Sequence, residues 1–136
     1  MNDRYLCRAK RTDNGEWVEG YIVVYPSGRC NIHKKCTEPP DVLAIYEIDP
    51  STICQCTGLK DKNGKLIWEN DIVKHFYNKD EPERYDIGVV RWDDVQLSFR
   101  RTSKIDEKLV NLSFYSAYEV IGSEIDNSEL LKVANG

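Results

Sequence analysis

The chain has 136 residues, with Lys plus Arg at 19, Asp plus Glu at 23 and a formal net charge of −4. That length is one ordinary domain or two very small ones, and acid outnumbers base on both sides of Leu59, so bulk electrostatics gives duplex nucleic-acid binding no footing. The opening residues are charged (Asp3, Arg4, Arg8, Lys10, Arg11), no run approaches a membrane span, and five cysteines, an odd number, exclude a complete intrachain disulfide set, so the expectation is a cytoplasmic protein with reduced thiols and no membrane partner.

Tyr5 to Lys10 reads as a strand, and Asp13-Asn14-Gly15 turns it into a second strand over Trp17 to Tyr25. Pro26-Ser27-Gly28 ends that run, Arg29 to Lys35 is a short extended piece, and Cys36 to Asp41, with Pro39-Pro40, is loop or linker. Val42 to Ile48 is apolar enough for a buried strand, Asp49-Pro50 turns, and Ser51 to Cys56 is another short strand. Asn63-Gly64 is a strong hairpin signal, read as a two-residue turn with positive φ at both centres. Leu66-Ile67-Trp68 is extended, Glu69-Asn70 bends, and Asp71 to Tyr77 alternates as a strand whose mixed faces suggest a sheet edge. Lys79 to Glu83 is a solvated loop. Tyr85 to Trp92 is a strand, Asp93-Asp94 turns, and Val95 to Arg100 follows with Val95, Leu97 and Phe99 on one face. Ser103 to Asn111 is polar, Leu112 to Ala117 fits one helical turn, Tyr118 to Ile125 is the last strand, and Asn127 caps a short helix through Val133.

The expected fold is therefore mainly β: a small N-terminal β-sheet region over residues 1–56, then an SH3-like, partly open β-barrel with a short C-terminal helix over 57–136. The barrel itself spans roughly residues 57 to 125, and the two parts are expected to form one compact unit.

The run from Gln55 to Val73 resembles the hallmark of the YopX family of phage and prophage proteins, a Gln-aromatic-Thr-Gly-Leu-x-Asp pattern followed by Gly, Ile, Glu-Gly-Asp-Ile-Val. Gly15 to Tyr21 and Ile48 to Thr52 upstream, and Tyr118 to Gly122 with Asn127 to Leu131 downstream, look like the same family. Three residues depart from it: Cys56 where an aromatic is usual, Cys54 where a small residue is usual, and Asn70 in place of Gly. The resemblance implies a phage context and a structural role for Thr57, Gly58, Gly64, Glu69 and Asp71, to which the turn chemistry adds Asn63. It implies no settled activity.

Little else in the chain proposes chemistry. Cys30, His33, Cys36, Cys54 and Cys56 offer zinc-type ligands at short spacings, but Cys54 and Cys56 lie two apart on a strand and cannot wrap an ion as a Cys-x-x-Cys turn does. Small buried hydrophobes are the better account, so neither metal nor cofactor is expected. His33 and His75 have no nucleophile beside them in sequence, and Asp93-Asp94 or Glu69 with Asp71 are better read as turn formers than as cation ligands. The aromatics Trp17, Tyr21, Tyr25, Tyr77, Tyr85, Trp92 and Phe99 are the functional lead. Trp92 and Phe99 interleave with Arg91, Arg100 and Arg101, near Lys104, in a pattern suited to stacking and pairing with a single strand. The competing account puts most rings in the core and the arginines on a solvated face. No catalytic residue is proposed. The reading is a phage or prophage accessory protein of the bacterial host cytoplasm, a non-enzymatic module that binds a protein partner or a second copy of itself. One alternative is a single-stranded nucleic-acid-binding protein of the phage early region; a second is a small hydrolase with a loop-assembled site.

Overall fold

The computed structural model describes residues 5–34, 44–78, 80–95, 98–102, 109–111 and 118–134. The chain is mainly β and divides into two compact units, Met1–Cys56 and Thr57–Gly136.

In the first unit the antiparallel strands β1 (Cys7–Lys10), β2 (Trp17–Val24), β3 (Cys30–Lys34), β4 (Ile45–Ile48) and the start of β5 (Cys54–Lys60) lie in the order β4-β3-β2-β1-β5. Register follows hydrophobic alternation. Ala9 faces Val18, Ile22 faces Ile32 and Cys30 faces Ile48, so one face of the sheet is apolar. Ala9, Val18, Cys30, Ile32 and Ile48 are buried there as one cluster, with Ile22, Tyr46 and Ile53 against it. Burial of each large aliphatic side chain contributes about 1.5–3 kcal/mol. The opposite face carries Arg8, Lys10 and Trp17, where both cations sit over the indole, at 4.6 Å and 5.4 Å from its centroid. Ser51 and Thr52, expected to open a strand, belong to a 3-10 turn over Pro50–Thr52. Asp49 caps it by accepting the Ser51 amide, and that local bond defers the strand to Cys54.

The second unit holds β6 (Leu66–Trp68), which pairs with the later part of β5, and a five-stranded antiparallel sheet. That sheet comprises β7 (Asp71–Phe76), β8 (Tyr85–Asp93), β9 (Ser98–Thr102), β10 (Leu109–Asn111) and β11 (Tyr118–Ser123), in the order β10-β9-β8-β7-β11. The helices α1 (Glu124–Asn127) and α2 (Glu129–Ala134) follow. Ile67, Val73, Val90 and Tyr118 form the buried core, with Leu59, Phe99 and Val120 packed on it. At Gly88 the neighbouring strand passes so close that a Cβ would lie 2.0 Å from the Thr102 carbonyl oxygen, which only glycine permits. Among the described residues no closed barrel forms, and no helix is long and apolar enough to cross a membrane.

Several local expectations differ from the structure. Strand β7 is flanked by β8 and β11, so it is interior and not an edge. Val95 lies in a turn and is 86% exposed; its amide is held by the Asp93 carboxylate at 2.9 Å, and that side-chain bond takes the residue out of the strand the alternation suggested. Leu109–Asn111, within a stretch read only as polar, pairs with β9. Two short helices replace the single one expected: Ser123 caps α1, its Oγ accepting from the amides of Ile125 and Asp126, and Asn127, expected to start the helix, is the last residue of α1, its side chain accepting from the Ser123 amide at 3.1 Å. The expected loop over Cys36 to Asp41 and helical turn over Leu112 to Ala117 lie outside the described residues, as does Lys104.

Candidate functional site

The motif of the central block is a pair of bends locked by buried carboxylates. Lys62, Asn63 and Gly64 form the first. Gly64 sits at φ 81, whereas Asn70 is the one non-glycine residue with positive φ among those described, so Asn63 does not share the left-handed conformation. The hairpin is a three-residue loop with glycine in the left-handed position, not a two-residue turn. The reason is Asp61, 5% exposed. Its Oδ1 accepts from the amides of Asn63 and Lys65, both at 2.9 Å, and its Oδ2 accepts from the Val120 amide of β11 at 3.0 Å. These charge-assisted bonds wind the loop one residue wider. Asp61 was not singled out from sequence, although a Leu-x-Asp lead into an Asn-Gly turn was available as a signal.

The second bend joins β6 to β7. Asp71, 1% exposed, accepts the Trp68 amide through Oδ2 at 2.7 Å and closes it. Asn70 holds φ 70 as expected. Its amide donates to the Val90 carbonyl, its own carbonyl accepts from the Glu124 amide, both at 2.8 Å, and its Oδ1 accepts from Arg91 Nη1 at 2.7 Å. Thr57 Oγ donates to the Ile67 carbonyl at 2.7 Å and accepts from the Leu59 amide at 3.1 Å, and Gly58 beside it has φ 82. Glu69 lies half-buried in the bend itself.

Strand register divides the five proposed binding residues. Trp92 stands opposite Phe99, with ring centroids 5.1 Å apart in edge-to-face contact, and Arg91 stands opposite Arg100. Side chains alternate between faces, so Trp92 and Phe99 share one face of the β8–β9 ladder and Arg91 and Arg100 the other. The structure therefore brings the two rings together and separates them from those two cations. Arg91 pairs with Glu124 and Arg100 lies 3.5 Å from Asp93. Trp92 is 43% exposed, its indole Nε1 donating to Asp94 Oδ1 at 2.7 Å.

Arg101 is on the ring face but is buried, at 6% exposure. Its Nη1 donates to Asp86 Oδ2 at 3.0 Å and to the Thr102 carbonyl at 3.3 Å, Nε donates to the Tyr118 hydroxyl at 3.0 Å, and Nη2 meets His75 Nδ1 at 3.1 Å. The sequence reading did not foresee this cluster. Its members come from four strands, and no short motif encodes them. Burial, with the Arg101 charge second, lowers the His75 pKa from its ordinary value, against the opposing pull of Asp86. Tyr77, whose ring lies edge-on to His75 at 5.4 Å, is pushed up by partial burial and by Asp86. A guanidinium only donates, so the His75 Nδ1 lone pair is already engaged and cannot at the same time take a proton from a nucleophile. The arrangement is built for cohesion more than for general-base work.

Of the metal-ligand pool, Cys30 is in the first unit's core while His33, three residues on along β3, is on the opposite face, so the pair cannot converge. Cys54 and Cys56 are fully buried on one face of β5, and Cys36 lies outside the described residues. Among the described residues no three His, Cys, Asp or Glu side chains gather as an ion would need.

A protein-family model described as YopX protein matches residues 7–132. No curated protein matches the chain.

Proposed function

We propose, from the premise that this chain belongs to the YopX family, that it is a phage- or prophage-encoded accessory protein. It acts in the host cytoplasm as a non-enzymatic module that binds a protein partner. One observation carries the choice of surface: Trp92, 43% exposed yet fixed by Phe99 and by the bond from its Nε1 to Asp94. A large ring held in place before binding loses little freedom on binding, and such rings anchor protein interfaces. The same reading takes the second unit for an SH3-like open barrel, supported by the antiparallel run β9-β8-β7 with β11 returning against β7. The separation of Trp92 and Phe99 from Arg91 and Arg100 favours a protein over a single strand of nucleic acid, which needs rings and cations in one groove.

The test uses the parent chain and Trp92→Ala as baits in cells carrying the phage. The expected result is a captured protein retained by the parent and lost by the variant, with thermal melts of the two superimposing. Equal capture by both removes Trp92 as the anchor. Submicromolar binding of single-stranded oligonucleotides by fluorescence anisotropy, lost in Trp92→Ala, would restore the nucleic-acid alternative.

A further inference from the structure

The hydrogen bonds of Arg101 contain a group that changes its chemistry within the physiological range. Arg101 donates to Asp86 on β8, to Tyr118 on β11 and to its neighbour's carbonyl on β9, and its remaining contact is His75 Nδ1 on β7. Guanidinium has no acceptor. The bond of 3.1 Å therefore exists only while Nδ1 carries a lone pair, which fixes a neutral ring with its proton on Nε2. No other side chain in the cluster has that property. The Asp86 carboxylate and the Thr102 carbonyl accept whatever the state of the imidazole.

We propose that His75 and Arg101 form an acid-sensitive latch in the second unit. The neutral imidazole accepts from Nη2 of Arg101 and ties β7 to β9, and a proton taken up at Nδ1 turns this attraction into contact between two cations and opens the tie. The groups facing His75 are Arg101 from β9, Asp86 from β8, the Tyr118 ring from β11 at 4.9 Å, and Tyr77 from the end of its own strand, with Arg84 acting on Tyr77. Asp86 alone favours the imidazolium, and its Oδ2 already serves Arg101. The geometry agrees with the lowered pKa that burial and Arg101 give His75. The sign follows. Near neutrality the folded chain binds fewer protons here than the unfolded chain, so the contribution is complete above the ordinary histidine value of about 6.5. It is lost as pH falls through that value towards the lower folded one. Opening frees the His75–Phe76 end of β7, next to Tyr77, which is already 51% exposed.

The experiment is an NMR titration of the full chain from about pH 8 to about pH 5, with thermal melts across the same range, on the parent and on His75→Asn. Asparagine places Oδ1 where Nδ1 stands and cannot be protonated in this window. At the upper end the His75 ring nitrogens should report a bare Nδ1 and a protonated Nε2. On acidification the parent should lose the protected Arg101 Nη2–H resonance, the one that faces His75, together with the Nδ1 signal of the neutral ring, and its Tm should fall more than that of His75→Asn. A proton on Nδ1 at the upper end overturns the latch, and needs no variant to detect. So does an Arg101 Nη2–H that stays protected in the parent to the acid limit, or a parallel fall of Tm in both chains.

Discussion

The two units solve the problem of a small core in different ways. The first buries aliphatic side chains on one face of a sheet, with Ile32 and Ala9 fully covered. The second buries Asp61, Asp71, Asp86 and Arg101 beside a core of similar size. Where burial of apolar area does the work, loss of a methyl group costs in proportion to the cavity it leaves. Where buried charge must be satisfied, loss of one partner costs the desolvation of the other. The lesson is that the second unit is the more brittle to single polar substitutions and the more tolerant of paired ones.

The strongest way to break that comparison is at the buried ion pair. Arg101→Met removes the guanidinium paired with Asp86, 4% exposed, and should cost about 3–5 kcal/mol. Adding Asp86→Leu should recover most of that loss, because an apolar pair of similar volume replaces a pair of charges. Urea denaturation of the parent, the single and the double variant measures both. A double variant no better than the single would mean that volume, not charge, governs this site.

Asp61 sharpens the comparison at intermediate size. Asp61→Ala strips acceptors from the amides of Asn63, Lys65 and Val120 and should cost about 1–3 kcal/mol. Asp61→Asn keeps one carbonyl acceptor and should cost less. Loss of hydrogen-exchange protection at the Val120 amide in the alanine variant is the local readout, and retained protection there would remove Asp61 as the brace between the loop and β11.

The smallest expected effect isolates backbone strain. At Gly64 the φ of 81 is unfavourable for other residues, but nothing lies within 4 Å of an added Cβ. Gly64→Ala and Gly64→Val should therefore both lower stability by about 1–2 kcal/mol, with Gly64→Asn milder because Asn tolerates the left-handed region. A valine variant that melts like the parent would exclude the left-handed loop.

What could be read in advance follows from how locally each feature is encoded. The bends at Gly64 and Asn70 were legible because positive φ restricts the residue type at a single position. Strands β2, β7 and β8 were legible from alternation over six or more residues. The start of β9 was not, because the bond that the Val95 amide donates to the Asp93 carboxylate outweighs the apolar pattern of Val95, Leu97 and Phe99. Arg101 looked like a surface cation since nothing within ten residues announces its partners; Asp86 lies 15 positions away and His75 lies 26. Interleaving of Arg91, Trp92, Phe99 and Arg100 in sequence concealed that the pleat sends rings and cations to opposite faces.

The spread of Arg101's partners also orders the folding of the second unit. Tyr118 is supplied by the last strand and His75 by the first of the five-stranded sheet. Until those ends of the chain meet, both Arg101 and Asp86 remain hydrated at no cost, and the penalty of dehydrating them falls on the closing step. Contacts this distant in sequence are slow to form. The guanidinium therefore contributes little to the rate at which the β7–β8 and β8–β9 hairpins assemble and mostly governs how slowly the completed sheet comes apart.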